Sequence, residues 1–154
     1  MSVKIMDSWR SSGLPNPELA FIDGGHDYLT VKHDYYSTLR IADSSLRILF
    51  DDYAAKPGFG VRKLVDEEVS SQFPVEVLLA DEDWIAPKYE YGVSRTDGMV
   101  FLDCNEADMP WQNGLPLRQI EDNLARCRRQ MQRQERLAAV KNFVRPLALR
   151  LGLR

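Results

Sequence analysis

Leu19-Ala20-Phe21-Ile22-Asp23-Gly24-Gly25-His26-Asp27-Tyr28 carries three structural signals in one short run. Its first four residues are apolar without alternation, the pattern of a short strand covered on both faces. Gly24 and Gly25 permit a sharp turn and a close approach by a ligand at the strand's end. Asp27 then precedes Tyr28, Val31, Tyr35 and Leu39, which recur at three-to-four spacing, so Asp27 is placed to cap a helix. His33 falls on the polar side of that helix and reads as a surface residue.

Working outward, the same alternation of strand and helix recurs. Val3–Met6, Arg47–Phe50, Val75–Ala80 and Met99–Leu102 are further apolar runs of strand length. Val61, Leu64, Val65 and Val69 repeat with helical spacing. Strand alternating with helix predicts an α/β fold with a largely parallel sheet over residues 1–103. Loops are expected at Ser11–Pro17 and Lys56–Gly60, and a linker at residues 104–115. Pro116 suits a helix N-terminus. From there a helix is predicted to about Asn142, with a seam of Leu117, Ile120, Leu124, Cys127 and Met131. Gln134 interrupts the seam, and Pro146 should end or kink the helix.

Composition narrows the classes. The chain has 154 residues, 44% of them hydrophobic, enough for one domain with a core. Its two cysteines, Cys104 and Cys127, lie far apart, which argues against a zinc finger or a disulfide framework. No apolar run reaches the length of a membrane span and no signal-peptide pattern opens the chain, so a cytoplasmic protein is expected. The net charge of -3 divides unevenly. Residues 1–115 hold 10 basic and 20 acidic residues, whereas residues 116–154 hold 10 basic and 3 acidic. The basic helical extension over residues 116–154 therefore suits an acidic partner or the acidic body itself. Arg126, Arg128, Arg129, Arg133 and Arg136 have no aromatic residues interleaved with them, so the sequence carries no strong nucleic-acid signal. The Leu/Arg-rich terminus is compatible with contact at an anionic membrane surface.

Chemistry concentrates where strands end. Ile22 runs into Asp23, and Phe50 runs into Asp51-Asp52. In open α/β sheets ligands bind beyond the carboxyl ends of the strands. If these strands are neighbours, Asp23, Asp51 and Asp52 converge, and a hard divalent cation such as Mg²⁺ would relieve their repulsion. His26 would stand on the rim as a general base.

Phe21-Ile22-Asp23-Gly24-Gly25-His26-Asp27-Tyr28, Ile48-Leu49-Phe50-Asp51-Asp52-Tyr53, Gly60-Val61 and Val65-Asp66-Glu67 together resemble the second half of a class I S-adenosylmethionine-dependent methyltransferase domain. The resemblance covers residues 3–103. It points to the metal-assisted branch that methylates hydroxyls of small molecules and sugars, and it is similar to the catechol O-methyltransferase group. It implies a partial Rossmann-like sheet, with S-adenosylmethionine and a divalent metal, Mg²⁺, as cofactors. It places Ser8 and Trp9 beside the adenine, Asp23 at the cofactor and metal, and Asp51 and Asp52 at the metal. The catechol-type enzymes carry Asp-Asn at that last pair. His26 falls where they place a catalytic lysine.

The glycine-rich loop that holds the methionine moiety in that family has no counterpart here; Gly58-Phe59-Gly60 opens a later helix. The resemblance thus implies a truncated domain that binds the cofactor weakly or not at all by itself, and it leaves open whether this chain alone is active. The missing half could come from a partner chain, or the chain could form a homo-oligomer. Two other classes stay open: a non-catalytic α/β interaction module, and a metal-dependent hydrolase or hydroxylase on a related sheet.

Overall fold

The computed structural model describes residues 8–42, 46–53, 60–79, 98–104 and 117–150. The expected strand at Val3–Met6 and all but the first residue of the expected linker lie outside them, as do most of the Lys56–Gly60 loop and the last four residues.

A single turn of 3-10 helix, Trp9–Ser11, precedes β1 (Leu19–Ile22). Helix α1 (Tyr28–Ile41) leads to β2 (Arg47–Phe50). Helix α2 (Val61–Leu64) runs on into a π-helical turn, Val65–Val69, before β3 (Val75–Leu79), β4 (Met99–Asp103) and the long helix α3 (Leu117–Arg150). The strands form one sheet in the order β1-β2-β4-β3. β1 and β2 are parallel, with Leu19 opposite Arg47 and Ile22 opposite Phe50. β4 is antiparallel to both β2 and β3. The protein is thus mixed α/β, and its sheet is mixed rather than mostly parallel. Apolar run length, the signal that located the strands, carries no information about direction.

The sheet also departs from the two-sided burial that its apolar runs suggested. Ile22, Ile48, Phe50, Val100 and Leu102 are buried on one face. On the other, Leu19 is 66% and Phe21 54% exposed. A continuous apolar run looks the same whether both faces are covered or the outer face is apolar and open.

Asp27 caps α1 as its sequence position predicts. Its backbone is extended, and its carboxylate accepts from the Leu29 and Thr30 amides. Asp27 Oδ2 also accepts from the Thr30 hydroxyl, at 2.5 Å. Burying Tyr35, Tyr36 and Leu39 against Phe50 and Leu64 builds the main core. A polar cluster braces α1 against the π-helical turn. Glu68 accepts from Tyr28, from Lys32 at 2.5 Å and from Tyr36 at 2.9 Å. Burial by itself would raise the Glu68 carboxyl, but the hydrogen bonds from Lys32, Tyr28 and Tyr36 outweigh it and hold the group below its ordinary value. Burial, with a smaller contribution from Glu68, pushes the Tyr36 hydroxyl up to about 12.

Helix α3 packs across α1 through Ile120, Leu124 and Cys127, which are buried. Met131 is half-buried and Leu117 is exposed, so the buried seam is shorter than its repeat. His33, expected on the surface, is buried in this interface. Arg128 Nε donates to His33 Nε2 at 3.4 Å, and Ser37 Oγ lies 3.4 Å from Nδ1. A long basic helix lying on the polar side of α1 converts a solvated position into an interior one. The helix continues through Pro146 to Arg150 instead of ending near Asn142. The carbonyl that proline leaves without an amide partner belongs to Asn142, which is exposed to water.

Candidate functional site at the ends of β1 and β2

Because β1 and β2 are parallel neighbours in register, the chain leaves both strands at the same edge of the sheet. The Asp51 amide still donates to the Ile22 carbonyl at 3.1 Å. Beyond it the backbone turns at Asp52, the one non-glycine residue with positive φ, 58°, among those described. Aspartate tolerates this left-handed region better than most residues. The turn leaves Asp52 buried, and its Oδ2 is bonded by His26 Nδ1. The His26 side chain itself is 54% exposed.

Three chain segments lock this arrangement. The Gly60 amide donates to the His26 carbonyl at 2.6 Å. A side chain at Gly60 would meet the Tyr28 backbone nitrogen at 2.1 Å, so only glycine fits there. Tyr53 is tied by its amide to the Gly98 carbonyl at 2.8 Å and by its hydroxyl to Asp66 at 2.7 Å. Burial, followed by the Asp66 contacts, raises the Tyr53 hydroxyl above its ordinary value.

Gly24 and Gly25 also make room for the protein's own side chains. A Cβ at Gly24 would lie 3.0 Å from the Asp34 carboxylate, and one at Gly25 2.7 Å from the Thr30 methyl. The glycines let the first turns of α1 lie close against the end of β1.

Beside β1 lies a cavity of about 510 Å³. Its lining includes Trp9, Leu19, Phe21, Asp23 and Gly24, together with Asp34, Thr38 and Ile41 of α1. Its size falls in the range of small-molecule and cofactor sites, about 300–1,000 Å³. The Trp9 indole is anchored by donation to the Pro15 carbonyl at 3.0 Å.

Trp9 and Asp23 therefore meet in one cavity, and His26 and Asp52 meet in one hydrogen bond. Ser8 is exposed and does not line the cavity, and Asp51 is half-buried at the neighbouring strand end. Among the described residues no three His, Cys, Asp or Glu side chains gather as a metal ion would require. Asp52 is bonded by His26 Nδ1 at this strand end. The contributions of Asp34 and Thr38 were not anticipated; their i, i+4 spacing on α1 was the available signal. Compared with protein-family models, with curated proteins and with solved structures, the chain matches none.

Proposed function

We propose that the protein transfers the methyl group of S-adenosylmethionine to a hydroxyl of a small molecule or sugar. One observation carries this reading. Trp9 and Asp23 line a cofactor-sized cavity at the strand edge from which His26 emerges, and His26 is held by Asp52. The β1–α1–β2 unit, with acidic residues at both strand ends, is one half of a Rossmann-like sheet in this reading. Ligands of such sheets bind beyond the strands' carboxyl ends.

The roles follow from the side chains. The Trp9 ring offers a flat apolar face to an adenine, and Asp23 an acceptor to the cofactor's polar groups or its cationic sulfonium. S-adenosylmethionine, when bound, supplies an electrophilic methyl group. His26 accepts the proton of the acceptor hydroxyl as the oxygen–methyl bond forms and the sulfur–methyl bond breaks. Asp52 fixes the imidazole's orientation through Nδ1 and stabilises the imidazolium that results, the division of labour seen wherever a carboxylate backs a catalytic histidine. A metal hydrolase receives no such support: His33, the other histidine, is occupied at the α1–α3 interface by Arg128.

Calorimetry with S-adenosylmethionine tests the cofactor assignment. The sequence has no glycine-rich loop for the methionine moiety, so the expected dissociation constant is weaker than about 100 μM, about -5.5 kcal/mol. Trp9→Ala and Asp23→Asn should each remove the heat. Absence of heat at millimolar cofactor, or heat unchanged in both variants, contradicts the assignment.

A further inference from the structure

Helix α3 carries a second apolar stripe beyond the part that packs on α1. Residues 132–145 are exposed throughout, including Leu137, Val140, Phe143 and Val144, with Phe143 at 73%. At about 100° per residue these four fall within an arc of about 120°. That arc lies about half a turn round the helix from the face of Ile120, Leu124 and Cys127 that packs on α1. The second stripe therefore cannot be an extension of the seam. It points away from the surface that α3 uses to dock.

The charges around the stripe are of one sign. At the same 100° per residue, Arg133 and Arg136 fall on the stripe's own arc and Lys141 about 40° beyond its edge, whereas Arg145 falls on the far side of the helix. Glu135 is the last acidic residue of the chain. Two copies pairing through this stripe would bring Arg133, Arg136 and Lys141 together, and between residues 132 and 145 no carboxylate falls on the stripe's arc to answer them. An anionic lipid surface answers both features, taking the apolar side chains below its headgroups and the basic ones at their level. Among the described residues no helix is long and apolar enough to cross a membrane, so the helix would lie in the interface.

We propose that the distal half of α3 is an amphipathic arm that binds anionic lipid surfaces through Leu137, Val140, Phe143 and Val144, with Arg133, Arg136 and Lys141 beside them. The remainder of the chain carries a net negative charge, which such a surface repels. Attachment through a projecting arm keeps that body at a distance.

Co-sedimentation of the full chain with vesicles tests this. Vesicles of phosphatidylcholine containing about one-third phosphatidylserine should bind the chain, pure phosphatidylcholine should not, and raised salt should release it. Phe143→Glu and Val140→Glu should each lower binding at least about tenfold. Both side chains are exposed, so circular dichroism and the melting temperature should not change. Equal binding to the two vesicle types, no binding to either, or binding unaffected by Phe143→Glu overturns the proposal. So does light scattering that shows a dimer dissociated by Phe143→Glu, which would assign the stripe to a second copy.

Discussion

Replacing Asp52 separates what its backbone costs from what its carboxylate does. A left-handed conformation costs an L-residue about 1–2 kcal/mol, somewhat less for aspartate, and glycine adopts it freely. The carboxylate's partner, His26, is more than half exposed, so screening reduces their bond to about 0–1 kcal/mol. These terms oppose each other in Asp52→Gly, whose stability should stay within about 1 kcal/mol of the parent. Asp52→Ala loses the bond and keeps the strained φ of 58°. It should be less stable than the glycine variant by about 1–2 kcal/mol, or about 2–8 °C in melting temperature for a chain of this size. Both variants should impair methyl transfer alike, because both release the His26 ring. Thermal melts followed by circular dichroism give the stabilities. If glycine is no more stable than alanine, the turn stores no strain. If Asp52→Gly falls more than about 2 kcal/mol below the parent, the carboxylate is a structural brace and the pairing with His26 is not its purpose.

Glu68→Ala should cost about 2–4 kcal/mol by chemical denaturation, since it strips Lys32 and two tyrosine hydroxyls of their shared acceptor. Because the Glu68 carboxyl is held below its ordinary value of 4.5, its stabilisation is complete above that pH and is lost as pH falls through the lower folded value. Stability measured against pH should therefore decline below about 4.5, and less steeply in Glu68→Gln. Gly60→Ala forces a methyl into the Tyr28 backbone and should cost more than about 3 kcal/mol or prevent folding, visible as lost cooperativity in the melt. Leu124→Asp places a charge in the α1–α3 contact and should cost at least about 3 kcal/mol, whereas Val140→Asp, on the exposed stretch, should change stability by less than about 0.5 kcal/mol.

The apolar runs at Leu19–Ile22, Arg47–Phe50 and Met99–Leu102 made the strands legible, because each carries enough local hydrophobicity to mark itself. Asp27 announced the start of α1, since capping depends on a single side chain and its next few amides. What lay beyond local information was misread. The direction of β4 depends on where the sheet has room for it. Burial of His33 depends on α3, nearly a hundred residues later, and Leu117 repeats in phase with the seam but is exposed. At the site, the convergence of the β1 and β2 ends was visible in their order and acidity. The His26–Asp52 bond was not, because it requires the left-handed turn at Asp52. The glycines at 24 and 25 were recognised as necessary, but the close approach of Thr30 and Asp34 of the protein itself was not visible in the sequence.

Transfer of a labelled methyl group from S-adenosylmethionine to hydroxylated acceptors is the most direct measurement of the proposed chemistry. Millimolar cofactor offsets weak binding, and a panel of catechols, polyols and sugars covers the acceptor class. An O-methylated product is expected, with its rate falling at least about hundredfold in His26→Gln while the calorimetric signal for the cofactor is retained. Absence of any O-methylated product across the panel, or a rate that His26→Gln leaves unchanged, would contradict methyl transfer with His26 as the base.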